Sequence, residues 1–473
     1  MGIKKIADNI WEIEKEGKMN VPGIIFASYA LMEDIKKDAK TIEQVKNVAT
    51  LPGIVGKSIA MPDAHCGYGF SIGGVAAFDI EKGIISPGGV GFDILCGVRL
   101  LTTNINKEEF MEKRKEVLNQ LFRDIPSGVG KESEFSFENK ELDRVLNEGV
   151  KWAVEKEYAT QDDILHMEDN GCIKGADASK ISQKAKSRGR SQLGSLGSGN
   201  HFLEIQEINT VYNSKIANVF GLNGNGQITI MIHSGSRGLG HQTASDYVQK
   251  MEREYGFKHL PDRQLAYAPI NSELGKDYRA AMAAAGNFAF VNRQLMTFQI
   301  RKAFKKFFPK SELKIVYDIA HNIAKFEEHE LNGKKEMLCV HRKGATRSFG
   351  PGRAEIPIAY RKVGCPIFIP GSMGTYSYVL VGTKKAEEIS FGSTAHGAGR
   401  VLSRSYAINN LKIEDVEKDL ALHGVLLKAG SRKGALEEAP EAYKDVNEVA
   451  RVSDELGIGQ LVARLKPLAV IKG

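Results

Sequence analysis

The sequence predicts a mixed α/β fold in a single large domain spanning 1–473. Three observations lead there. Short apolar runs with strand character recur along the whole chain and alternate with stretches of helical pattern. Several of those runs end in glycine-rich loops that carry a histidine, and the 49 glycines concentrate there, so a site built from loops is expected. No repeat, low-complexity linker or break in composition divides the 473 residues, and with 42% hydrophobic residues they can bury a large core.

From the start, a strand is expected over 10–13 and helices over 31–37 and 42–49. Gly56-Lys57-Ser58 has the look of a phosphate loop, but that motif needs a glycine where Leu51 stands, so it is rejected. A strand over 59–61 should end at Pro62-Asp63-Ala64-His65, where Asp63 and His65 could serve chemistry and an Asx-type turn is the competing account. A strand over 74–78 follows. Then Gly91-Phe92-Asp93-Ile94-Leu95-Cys96-Gly97 forms a loop that enters an apolar strand at Val98.

Residues 107–170 are charged and helical in pattern, with helices over 108–122 and 142–156, and read as an excursion from the core. Lys180, Lys184, Lys186, Arg188 and Arg190 then give five positive charges with no acid between them. A solvated loop is the plain reading of such a run. It leads into Gly197-Ser198-Gly199-Asn200-His201-Phe202-Leu203-Glu204, a setting suited to nucleic-acid phosphates.

Residues 221–226, Gly-Leu-Asn-Gly-Asn-Gly, read as a hairpin turn, and a strand over 227–232 delivers His233 into Ser234-Gly235-Ser236-Arg237-Gly238. A long helix over 274–307 carries an alanine stretch interrupted by Asn287 and Asn292, too short to cross a membrane. A strand over 313–318 leads to His321. Strands over 337–341, 366–369 and 378–381 follow, then His396-Gly397-Ala398-Gly399-Arg400 before a helix, and a last strand over 468–471.

Composition bounds the function classes. A net charge of +7 permits a polyanionic partner without requiring one. Five cysteines with no Cys-x-x-Cys pair argue against a disulfide framework and a zinc ribbon. Without an apolar signal core or a run of spanning length, a soluble cytoplasmic protein with no membrane association is expected.

Asp93 and Cys96 make sense together as metal ligands, since a thiolate can bridge two borderline cations and a carboxylate suits a harder one. His201, His233, His321 and His396 share the same glycine-rich setting, and two of them sit where a strand runs out. Asp93, Cys96, His201, His233 and His321 would suit two adjacent divalent ions. His396 differs: the glycines and Arg400 after it suggest a phosphate pocket, in which a neutral imidazole can attack phosphorus. The lysine-based rival needs a Lys-x-Asp-Gly signature, which is absent.

Taken jointly, these motifs, with Pro370-Gly371-Ser372-Met373-Gly374 and Lys472-Gly473, resemble the RtcB family of RNA-splicing ligases over nearly the whole chain. The resemblance implies that family's own mixed α/β domain, with a loop-built pocket for metal and nucleotide at its centre. It further implies GTP- and Mn²⁺-dependent joining of an RNA 3′-phosphate or 2′,3′-cyclic phosphate to a 5′-hydroxyl, in tRNA splicing or RNA repair. By position, Cys96, His233 and His321 would hold one Mn²⁺ and Asp93, Cys96 and His201 the other. His396 matches the residue that carries GMP. Asn200, His201, Phe202, Leu203, Glu204, His321, Asn322, Pro370, Gly371, Ser372, Met373, Ser377, Gly397, Ala398, Gly399 and Lys472 match positions around the nucleotide. RNA with broken ends is the implied partner, and archease an implied activator. Cys66 departs from the family pattern and lies where oxidation would be a liability. Two other readings compete: a metal-dependent phosphoesterase acting on RNA cyclic phosphates without GTP, and a non-catalytic RNA-binding protein.

Overall fold

A computed structural model describes residues 2–473. Two large sheets form the frame. One runs, in spatial order, Ile3–Ala7, Ile10–Ile13, Gly23–Phe26, Ile54–His65, Ile72–Asp79, Lys334–Lys343 and Asn322–Leu331. The other runs Leu313–Ala320, Gly97–Asn106, Gln227–Ser234, Phe202–Val211, Gln460–Lys472, Ser377–Val381 and Pro366–Ile369. Its eighth strand, Leu426–Ala429, pairs in parallel with Gln460–Lys472. The mixed α/β class is as expected. The two sheets meet at one residue, because His321 stands between Ala320, the last of a strand in one, and Asn322, the first of a strand in the other.

The helix Glu273–Phe307 is the spine beneath the second sheet. Ser272 caps it by accepting from Gly275 N, Glu273 lies in the first turn, and Lys305 and Lys306 lie in the last. That charge order suits the helix dipole. Most of its residues are buried, which is why it reads as apolar on nearly every side.

The segment 107–170 is no excursion from the core. Helix Lys107–Asp124 buries Phe110, Val117, Leu118 and Leu121, a stripe at helical spacing that its charged residues conceal, and helices Asn139–Glu148 and Val150–Glu155 bury Leu142, Val145 and Trp152. All of these join the main apolar core with the long helix. The helix expected over 142–156 is broken at Gly149, whose φ of 58° and ψ of −139° are not helical. The strand expected over 59–61 extends over Ile54–His65, with Gly56 at φ 66° absorbing a register shift between Val55 and Ser58. Residues 221–226 do not form a hairpin turn; they join the short helix Ser214–Val219 to the strand Gln227–Ser234. No helix among the described residues is long and apolar enough to cross a membrane.

Candidate metal and nucleotide centre

Strand register brings the donors together. Gly97 pairs with Ser234 on one side and Ala320 on the other, and His233 pairs with both Val98 and Phe202. Cys96, His201 and His321 each lie one residue beyond those strand ends, so four side chains converge on one edge of the sheet. Cys96 Sγ is 3.2 Å from His233 Nε2 and 3.4 Å from His201 Nε2, and His233 Nε2 is 3.3 Å from His321 Nε2. Asp93 Oδ2 lies 2.8 Å from His201 Nε2. Two overlapping groups result, Cys96–His233–His321 and Asp93–Cys96–His201, in each of which one donor atom per residue lies within 4.8 Å of the others. Either group can hold a metal ion.

The loop is held in an unusual backbone shape. Leu95 adopts φ 56°, a region that side chains seldom occupy unless neighbours fix it. Leu95 N donates to Asn322 O, Asn322 Nδ2 donates to Asp93 O, and His321 N donates to Cys96 O. Asp93 Oδ1 accepts from Ser236 N at 2.9 Å, and a Cβ at Gly235 would stand 2.3 Å from Asp93 Oδ2, so only glycine fits there.

The protonation states suit cations. Burial pushes His201, His233 and His321 below the ordinary imidazole range, leaving their ring lone pairs available. Burial, reinforced by Asp93, pushes the Cys96 thiol well up, so a thiolate there calls for a cation in place of the proton. Burial also pushes Asp93 upward, but the His201 hydrogen bond and the nearby positive charges outweigh it and hold the carboxyl below its usual range. This donor set fits two divalent ions sharing one thiolate.

His396 follows the short strand Ser393–Ala395 and lies at the same edge, its ring centroid 4.7 Å from that of His321. Its anchor is Asp63, which is fully buried. Asp63 Oδ2 accepts from His396 N at 3.0 Å and Gly397 N at 3.2 Å, and lies 2.6 Å from His396 Nδ1 without the N–H alignment of a hydrogen bond. Asp63 thus stands beside Nδ1, and Nε2 is the ring nitrogen on the side away from it. Asp63 is not in a local Asx turn; it reaches across the molecule. Gly399, at φ 76°, packs so closely on Asp63 that a Cβ would meet its carbonyl oxygen at 2.1 Å.

The similarity comparisons bear on this site as a whole. The family model described as "tRNA-splicing ligase RtcB" matches residues 44–473. A protein of that name from Archaeoglobus fulgidus is 52% identical over 480 residues, covering 100% of this chain and 99% of its own. Those from Thermococcus kodakarensis and Nanoarchaeum equitans are 51% and 50% identical with the same coverage. The chain belongs to the RtcB family.

In this RtcB chain the donors and His396 open on a cavity of about 1230 Å³, which Asn200, Asn322, Pro370, Gly371, Gly397, Ala398 and Gly399 also line. The other expected nucleotide residues lie deeper. Phe202, Glu204, Ser377 and Lys472 are buried behind the cavity wall. There Gln206 Nε2 donates to Glu204 and to Ser377 Oγ, and Lys472 Nζ donates to Glu438 and lies 5.5 Å from the Phe202 ring centroid. Burial pushes Glu204 up to about 8. Leu203 turns to the opposite face and packs in the main core, and Met373 packs against Val416 and Leu420. Ser372 N donates to Thr375 Oγ1, which shapes the turn after Pro370.

Three sequence readings need correction. The basic run is not a loop, since Gln183–Gly189 is a helix capped by Ser182. Within it Lys186 is buried and pairs with Asp143 at 2.7 Å, and Lys180 pairs with Asp277 at 2.6 Å, so neither is free for phosphate; Arg188 lines the cavity, and Lys184 and Arg190 are exposed. Arg400 does not open a helix, which begins at Arg404, and its guanidinium is taken by Glu438, Tyr443 and Glu437 O. Arg404, half exposed on the cavity wall, stands 3.9 Å from the carboxylates of Glu437 and Glu438. Sequence reasoning also missed Asp63 as a partner of His396, although the polar Pro-Asp-Ala-His interruption of an apolar strand is a visible signal.

Proposed function

We propose that this protein is a GTP- and Mn²⁺-dependent RNA ligase that joins a 3′-phosphate, or a 2′,3′-cyclic phosphate once opened, to a 5′-hydroxyl. The observation that carries the reading is His396, with Asp63 at Nδ1 and a metal-ligand histidine beside its ring, at a glycine-lined cavity wall. The name borne by the relatives supports tRNA halves as one substrate. Cys96, His233 and His321 would hold one ion and Asp93, Cys96 and His201 the other; such ions supply Lewis acidity at phosphate oxygens.

In this reading His396 Nε2 attacks the α-phosphorus of GTP and pyrophosphate leaves. Asp63 keeps the ring oriented and stabilises the positive charge that develops on it. An oxygen of the RNA 3′-phosphate then takes GMP from the imidazole. The 5′-hydroxyl oxygen attacks the activated phosphorus, and GMP departs with the bond electrons. Asn200, at the cavity, would contact the guanosine, with Phe202, Glu204, Ser377 and Lys472 backing the wall behind it.

The test uses the acid lability of a phosphorus–nitrogen bond. Protein incubated with α-labelled GTP and Mn²⁺ should carry label that mild acid strips and alkali does not. His396→Ala should abolish it. His166→Ala should not, since that ring bonds Tyr360 Oη and is not among the residues lining the cavity. Acid-stable label, or label persisting in His396→Ala, sinks the assignment. Hydrolysis of the cyclic phosphate without GTP and without end joining would favour the phosphoesterase reading instead.

A further inference from the structure

The polar residues that interrupt the long helix have no part in the chemistry above. Asn292, Arg293, Gln294 and Thr297 are all fully buried. A buried guanidinium is costly unless every donor is used. Arg293 uses its donors on three separate segments. Nη1 donates to Leu95 O at 3.0 Å and to Ser234 O at 2.8 Å, while Nη2 and Nε donate to the Asp318 carboxylate at 2.8 and 3.0 Å. Leu95 directly precedes Cys96. Ser234 directly follows His233. Asp318 lies on the strand that ends at His321. One rigid planar group therefore ties together the three segments that carry the Cys96–His233–His321 group.

Neutralising Asp318 does not by itself call for Arg293. Arg99 Nε already donates to Asp318 Oδ2 at 2.8 Å, and Arg99 Nη1 donates to Gln294 and Thr297 of the same helix. Asn292 adds to the brace by donating to Ser195 O, Ser234 Oγ and Gly235 O. Asp93 and His201 are steadied by other groups, Ser236 and Arg237. We propose that Arg293 is a positioning residue that sets the spacing of Cys96, His233 and His321 before a divalent ion binds, and so governs one of the two ion positions. The inference rests on the two-ion reading of the site.

The experiment titrates metal-free full-length protein with Mn²⁺, reading free ion by electron paramagnetic resonance and needing no ligation. Arg293→Lys keeps the charge but cannot reach both carbonyls and the carboxylate. It should weaken the Mn²⁺ affinity of the Cys96–His233–His321 group by roughly 10- to 100-fold, as loss of groups behind metal ligands does, and weaken the other, which shares only Cys96 with it, by less. Arg99→Lys, on the same carboxylate but touching no carbonyl beside a ligand, should lower the melting temperature and leave both affinities intact. Label transfer from GTP in Arg293→Lys should recover as Mn²⁺ is raised. If Arg293→Lys does not fold, Arg293→Gln, which leaves Asp318 paired with Arg99, reads the same quantities. Two wild-type affinities in the variant, or an equal loss in Arg99→Lys, overturn the proposal. A wild-type protein that binds no Mn²⁺ overturns the two-ion reading and the proposal with it.

Discussion

The two sheets contribute to the site in different ways. Cys96, His201, His233 and His321 come from ends of neighbouring strands in the eight-stranded sheet, where pairing fixes their spacing. The seven-stranded sheet contributes Asp63 from an irregular stretch in which the register shifts between Ala60 and His65. One sheet carries four of the five candidate metal donors, while the other orients the residue proposed to carry GMP. The contrast separates two functions that a sequence motif would lump together, and it can be tested by damaging each sheet's contribution in turn.

The largest effect is expected at the shared thiol. Cys96→Ser removes the soft donor common to both groups with little change in volume. Ligation should fall below detection, both Mn²⁺ ions should be lost on desalting, and cooperative melting should persist. Intact Mn²⁺ content by elemental analysis would break the two-ion reading.

Asp63→Asn strikes the other sheet. The donors are untouched, so Mn²⁺ content should stay normal, while formation of the acid-labile GMP label slows by roughly 10²- to 10⁴-fold, the range for losing a partner of a reacting imidazole. Loss of metal along with label would mean that the two contributions are not separable.

How much of this was legible in the sequence follows from the same contrast. A strand that runs out at a histidine is a local pattern, so His233 and His321 could be read from the residues and their pairing partners inferred by chemistry. Asp63 could be seen but not assigned, because its partner lies 333 residues away and no periodicity links them. The helices after residue 107 misled for a different reason. Their apolar stripe is narrow among charges, and only the long helix beneath them shows that the stripe is covered. Lys186 misled likewise, since the acid that neutralises it, Asp143, lies on another helix.

A smaller effect is expected outside both sheets. Replacing Lys184, Arg188 and Arg190 with serine should weaken RNA binding across sequences while leaving GMP labelling intact. Each lost phosphate contact should reduce the slope of log affinity against log salt by about 0.7 for a single strand. An unchanged slope would make this face a solvated surface only.

The smallest concerns Glu204 behind the cavity. Its carboxyl is raised from 4.5 to about 8, so the native state holds a proton that the unfolded chain releases. Its contribution to stability is fully present below pH 4.5 and is lost as pH rises toward 8. Glu204→Gln removes that loss. Its melting temperature relative to the parent should therefore climb between pH 5 and 8, by a few degrees at roughly 2 °C per kcal/mol. A pH-independent difference would show that the carboxyl is already ionised in the native state.

The strand Gln460–Lys472 sits in the middle of the eight-stranded sheet, between Phe202–Val211 and Ser377–Val381, although it follows every other described strand in the chain. Until it emerges from the ribosome, two hydrogen-bonding edges that will later be interior stand open, and they are separated in sequence by more than a hundred residues. Closing that gap is a late, long-range event of the kind that slows folding. Open edges are also where nascent chains pair with the wrong partner. There is thus a stage in which all the candidate metal donors have been made but the sheet behind them is still split.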